Sequence, residues 1–197
     1  MTEPPLGRRF ADAMVYAWDV HQGQWRKGTS VPYVAHLLGV ASLVLGDGGD
    51  EDEAIGALLH DAAEDHGGRG RLADIERRFG ARVALIVEAC SDSLDEPKPP
   101  WRGRKEGFLR VLLEAPPEVV RVALADKLYN CRSMVADVGA GGATVWGRFK
   151  AGPREQLWYY TRLLAVFRQR STSLMVGQLA FEIEALAALV ERDAPAP

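Results

Sequence analysis

Cysteine is scarce in this chain. Cys90 and Cys131 are the only 2 among 197 residues, and they show no C-x-x-C spacing, which argues against a disulfide framework or a zinc knuckle. Both fall inside amphipathic patterns, where a cysteine is usually a small buried apolar side chain. Long apolar runs are missing too: none approaches the roughly 20 residues of a membrane span. The opening stretch MTEPPLGRRF has no apolar core of the signal-peptide kind. The expectation is a cytoplasmic protein without membrane contact. Nor is positive charge in excess, since 24 Lys and Arg against 27 Asp and Glu leave a formal net charge of -3. Bulk attraction to nucleic acid is therefore not expected, and an anionic ligand needs a local cluster of cations.

Strand-like alternation, internal repeats and coiled-coil heptads are also lacking. What is present is helical spacing of apolar residues. It runs through Phe10, Met14, Ala17 and Trp18, then Leu37, Val40, Ala41, Val44 and Leu45, then Ile55, Leu58 and Leu59. Leu72, Ile75 and Phe79 predict a short helix closed by Gly80, and Val83 to Cys90 predict another. The proline-bearing stretch SDSLDEPKPPWRG, 91 to 103, reads as a loop. Helices are predicted to resume over 105–113, 118–135, 153–170 and 173–190, with GAGGA at 139–143 as a break. A chain with 47% hydrophobic and 26% charged residues fits one globular domain over 1–197. The fold class is all-α, a bundle of about 8 to 10 helices, with a frayed tail over 192–197.

The stretch ALLHDAAEDHGG, 57 to 68, gathers His60, Asp61, Glu64 and Asp65 at the end of an apolar helix. Residues four apart share a helix face, so His60 would lie beneath Glu64 and Asp61 beneath Asp65 if the helix continued that far. Carboxylates packed together repel, and a divalent cation is the natural counter-charge. Imidazole with carboxylate suits Mn, Fe, Co or Zn. One His-Asp dipeptide cannot complete a metal shell, and two partners stand elsewhere. His36 follows VPYVA and opens the apolar run LLGVASLVL. Asp126 sits in VALADKLYN, an expensive place for a carboxylate without a partner, and Asn130 shares its face.

The set H…HD…D, with HDAAED in the middle and ALADKLYN last, resembles the HD-domain metal phosphohydrolases. Within them it is most similar to the RelA/SpoT-type alarmone hydrolases, stand-alone small form. RKGTSVPYVAH resembles that family's basic approach to a P-Y-hydrophobic-x-H motif, PPWRGRKEGFL its W-x-x-R-K segment, and the likeness runs from about residue 10 to about 170. The resemblance implies an all-α bundle and Mn²⁺-dependent removal of the 3′-pyrophosphate from (p)ppGpp. His36, His60, Asp61 and Asp126 would be the metal ligands, and Glu64 and Asp65 the catalytic acidic pair. Arg26, Lys27, Lys105, Asn130 and Tyr159 would contact the nucleotide, with Arg102 and Arg104 as further cations. The longer approach G-T-S-V-P-Y, Ala35 before the histidine and the inserted Lys98-Pro99-Pro100 depart from the pattern in loops that would recognise the base and pyrophosphate. Two other readings stay open: a phosphohydrolase of another phosphorylated nucleotide, and a non-catalytic nucleotide-sensing module.

Overall fold

The helix leading to the His-Asp dipeptide starts on a reciprocal cap. In the computed structural model, which describes residues 6–94 and 97–193, the Asp50 carboxylate accepts the Glu53 N–H at 3.0 Å. The Glu53 carboxylate in turn accepts the Asp50 N–H at 2.8 Å, pairing two of the amides that a helix start leaves open. Among the described residues the helices run α1 (Arg8–Val20), α2 (Val34–Gly46), α3 (Glu51–Leu59), α4 (Ala62–Asp65), α5 (Gly68–Phe79), α6 (Ala81–Cys90), α7 (Trp101–Glu114), α8 (Pro117–Gly141), α9 (Pro153–Arg170) and α10 (Leu174–Arg192). A 3-10 segment, Gly142–Arg148, joins α8 to α9. The one β pairing among these residues is an isolated bridge between Trp25 and Pro32, so the all-α expectation holds. None of these helices is long and apolar enough to cross a membrane.

Helix α3 is the axis of the bundle: its residues Glu53 to Leu59 are all buried, and α1, α2, α6 and α8 pack around it. Burying a side chain such as Ile55, Leu58 or Leu59 contributes about 1.5–3 kcal/mol, which is how the polar dipeptide at its end is carried into the interior. Buried Glu53 is paired with Arg121 of α8. Gly56 brings α3 against α6, because a Cβ there would lie 2.7 Å from Ile86 Cγ2. Gly56→Ala gains up to about 1 kcal/mol of helix propensity, but overpacking a rigid β-branched neighbour costs about 1–3 kcal/mol. The expected result is a lower urea midpoint at unchanged m-value. A raised midpoint would show that α6 moves aside.

Several expectations shift in detail. The buried face of α1 is Ala13, Tyr16 and Ala17, while Met14 and Trp18 are exposed; the Tyr16 ring meets Phe79 edge-on at 5.5 Å and sets the helix's rotation. Helix α7 begins at Trp101, directly after Pro100, not at Lys105. Helix α8 runs past Val135 to Gly141, since Val138 still faces the core. The break falls at Gly142, whose φ of 65° a side chain would resist. Of the expected tail, Arg192 ends α10 and Asp193 accepts the Trp146 Nε1–H at 2.9 Å; 194–197 lie outside the described residues, as do 95 and 96 of the proline-bearing loop. Cys90 and Cys131 are buried and unpaired, as expected, and burial pushes both thiols up, Cys131 to about 12.

Candidate metal centre and nucleotide pocket

Three helices deliver the centre. Helix α3 stops at Leu59, and His60 and Asp61 form the turn before α4, so His60 and Glu64 are not stacked on one unbroken helix. His60 Nδ1 donates back to the Ala57 carbonyl at 2.8 Å; this places a proton on Nδ1 and turns Nε2 inward as the atom free to take a metal. His36, in the first turn of α2, presents its Nε2 3.3 Å from His60 Nε2 and 3.3 Å from Asp126 Oδ1 on α8. Asp61 Oδ2 lies 3.0 Å from His60 Nε2 and 3.6 Å from His36 Nε2. Donor atoms of His36, His60 and Asp126 all fall within 4.8 Å of one another, and Asp61 joins them through both imidazoles.

Outer contacts orient these groups. Tyr33 Oη donates to Asp61 Oδ2 at 2.5 Å. Lys127 Nζ donates to Asp126 Oδ2 at 2.7 Å, and Asn130 Nδ2 donates to Asp126 Oδ1. Gly39 of α2 makes room for the Tyr129 ring, which a Cβ there would meet at 2.1 Å; that ring rests edge-on against His36 at 5.0 Å. Burial alone would push the Asp126 carboxyl up, but Lys127 and His60 hold it well below the usual carboxylate range. For Asp61, His60 likewise outweighs burial. Burial would lower His60, yet Asp61 and Asp126 raise it well above an ordinary histidine. The centre thus calls for positive charge, and two imidazoles with two carboxylates match a borderline divalent transition ion better than an all-oxygen shell would.

Beside the centre opens a cavity of about 390 Å³. All five residues expected to contact a nucleotide, Arg26, Lys27, Lys105, Asn130 and Tyr159, line it, and so does Arg104. Arg26 reaches the wall by donating to Asn130 Oδ1 at 2.8 Å. It leaves a tight turn in which Gly28 has φ 71° and lies against the Arg148 side chain. Tyr159 Oη is buried without a hydrogen-bond partner among the described residues, and Lys105 Nζ sits 4.8 Å from its ring centre. Arg102 does not join: its guanidinium covers the Trp158 ring and pairs with Glu106 and Glu155. Three lining cations were not foreseen, Lys127, Arg148 and Lys150. Lys127 was within reach of the ADKLYN motif as the neighbour of Asp126; Arg148 and Lys150 lie at the 3-10 segment, where no helical period marks them.

The acidic pair divides. Glu64 Oε2 accepts the Asp92 N–H at 2.7 Å and its Oε1 accepts Lys98 Nζ at 3.0 Å. The Asp92 carboxylate, nearly buried, takes Arg104 at 2.9 Å and also Lys105. Glu64 therefore anchors the loop whose aspartate steadies two cavity cations. Asp65 is exposed and accepts the Gln24 Nε2–H at 2.8 Å.

An all-helical bundle carrying a His-Asp dipeptide between two further His and Asp donors defines a helical protein built around a divalent-metal motif. The chain belongs to the HD domain family, which it matches over residues 13–152. It is 38% identical over 126 residues to the guanosine-3′,5′-bis(diphosphate) 3′-pyrophosphohydrolase MESH1 of Xenopus tropicalis, covering 62% of this chain and 68% of that one. It is 32% identical over 133 residues to the bifunctional (p)ppGpp synthase/hydrolase SpoT of Escherichia coli strain K12, covering 64% of this chain and 18% of that protein. The structure of a metazoan SpoT ortholog that hydrolyzes ppGpp superposes with TM-score 0.75 at 24% identity, over 93% of this chain and 97% of that one.

Proposed function

We propose that this protein is a Mn²⁺-dependent hydrolase that removes the 3′-pyrophosphate of (p)ppGpp, giving GDP or GTP and pyrophosphate. The observation that carries the reading is the juxtaposition of a cation-lined cavity with a buried His/Asp donor set, in a chain similar to proteins named for that reaction. His36, His60, Asp61 and Asp126 hold the ion. When bound, it supplies Lewis acidity that lowers the pKa of a water and offsets charge on the phosphoryl oxygens.

The remaining work falls to side chains. Lys105, Lys127 and Arg104 line the cavity together with Arg26 and Lys27 from the connection between α1 and α2, enough local positive charge to receive a polyphosphate on a chain of net charge -3. Asn130, fixed between Arg26 and Asp126, and the Tyr159 hydroxyl, without a partner among the described residues, offer hydrogen bonds to the sugar or a phosphate. Asp65 accepts the proton of the attacking water. The water oxygen bonds to the phosphorus attached at O3′, the P–O3′ bond breaks, and O3′ leaves as a hydroxyl with a proton from solvent, to which Asp65 returns the proton it took.

The test is an assay of metal-free protein with and without added Mn²⁺ against a panel of phosphorylated nucleotides. Release of pyrophosphate from ppGpp only with metal present is expected. Orthophosphate from other nucleotides, with ppGpp untouched, overturns the substrate while sparing the metal site.

A further inference from the structure

Outside the His/Asp centre, one side-chain amide sits between two imidazoles and a carboxylate. Gln24 Oε1 lies 2.7 Å from His21 Nδ1 and 2.6 Å from His66 Nε2, while Gln24 Nε2 lies 2.8 Å from Asp65 Oδ2. These contacts have one consistent assignment of protons. An ionised carboxylate only accepts, so the amide NH₂ must face Asp65 and its oxygen must face both rings, each of which then donates an N–H. The rings cannot easily turn away. His21 is 4% exposed, stacked on Tyr33 with centroids 5.0 Å apart and packed edge-on against His66 at 5.0 Å.

His21, Asp65 and His66 also lie close enough to suggest a second cation site. The Gln24 amide argues against that use, since both imidazole N–H groups already have its oxygen as acceptor and its NH₂ already serves the carboxylate. The group is built as a hydrogen-bonded support. The same residue organises the substrate loop: its carbonyl accepts the Tyr33 N–H at 2.9 Å, and the Trp25–Pro32 bridge follows directly.

We propose that Gln24 is a positioning residue for Asp65, its amide oriented by His21 and His66 so that it holds Oδ2 and leaves Oδ1 for the attacking water. The inference rests on the reading of Asp65 as the base. Three variants of the metal-loaded protein, Gln24→Leu, Asp65→Asn and the double, are assayed for kcat and KM on ppGpp and for melting temperature. A hydrogen bond to an ionised group sets the expected loss in Gln24→Leu at about tenfold to a hundredfold in kcat with KM unchanged. If Gln24 acts only through Asp65, the double variant is no slower than Asp65→Asn alone.

Losses that multiply in the double variant, or a loss confined to KM, make Gln24 a structural loop residue and overturn the inference. Full activity in Asp65→Asn removes the base itself, a distinct failure visible in the single variant. Should Gln24→Leu melt below the assay temperature, His66→Leu and His66→Gln carry the same test. The leucine is expected to lower kcat several-fold and the glutamine, which keeps an N–H, to restore it; equal activity in the two overturns the orienting role.

Discussion

His36→Ala is expected to lose bound metal and to lower turnover by about a thousandfold or more. The ring is fully buried and its Nε2 faces His60, Asp126 and Asp61 at 3.3, 3.3 and 3.6 Å. Removing it takes one donor from the group of His36, His60 and Asp126 found among the described residues. Metal catalysis contributes several kcal/mol of charge stabilisation, and each 1.36 kcal/mol is a decade in rate, so losing the ion costs at least about three decades. The variant is cleaner than one at Asp126, whose loss would leave buried Lys127 without its carboxylate and add an unpaired charge to the damage. In His36→Ala the carboxylates of Asp61 and Asp126 still face His60 and Lys127, so its fold should survive the loss of the ion with a cavity cost. Metal content by elemental analysis, beside kcat on ppGpp, reads both effects. Normal metal content with normal turnover would sink the assignment of His36 as a ligand.

The donors of this centre were legible because each is costly where it stands. Asp126 interrupts an apolar helical face, His36 opens one and His60 closes one, and a buried polar group demands a partner whatever the fold. Helical period gave the bundle for the same reason, since α3 and α8 bury nearly everything they carry at that spacing. Cation placement was harder. Charged residues are tolerated on most surfaces, and only helix phase decides which ones meet. With α7 starting at Trp101, Arg102 and Arg104 are about 200° apart around the axis, so one covers Trp158 while the other reaches Asp92. A start at Lys105 left that phase undefined. Arg148 ends the 3-10 segment that follows α8 and Lys150 lies just past it, where apolar spacing carries no information about facing. Glu64 and Asp65, consecutive in α4, point about 100° apart around its axis, so two carboxylates that the motif treated as one pair reach different partners.

That separation leads to unlike expected losses at Glu64 and Asp65. Asp65→Asn keeps the volume and the contact with Gln24 in altered form but cannot take a proton, so kcat is expected to fall about a hundredfold or more, the usual worth of a general base. KM and metal content should hold, because among the described residues the Asp65 side chain is bonded to Gln24 and not to the cavity cations or the metal donors. Glu64→Gln acts elsewhere. Its carboxylate holds Lys98 and the Asp92 N–H, and Asp92 in turn positions Arg104 and Lys105. Burial would raise the Asp92 carboxyl, and Lys105 with Lys127 keeps it ionised, so the aspartate remains a charged hub only while its loop stays in place. A neutral amide at 64 weakens that anchor, which should appear as a raised KM for ppGpp with a smaller fall in kcat. Steady-state kinetics on the two variants separate the roles. A hundredfold fall in kcat at constant KM in Glu64→Gln, beside near-normal turnover in Asp65→Asn, would exchange them and make Glu64 the group that takes the water's proton.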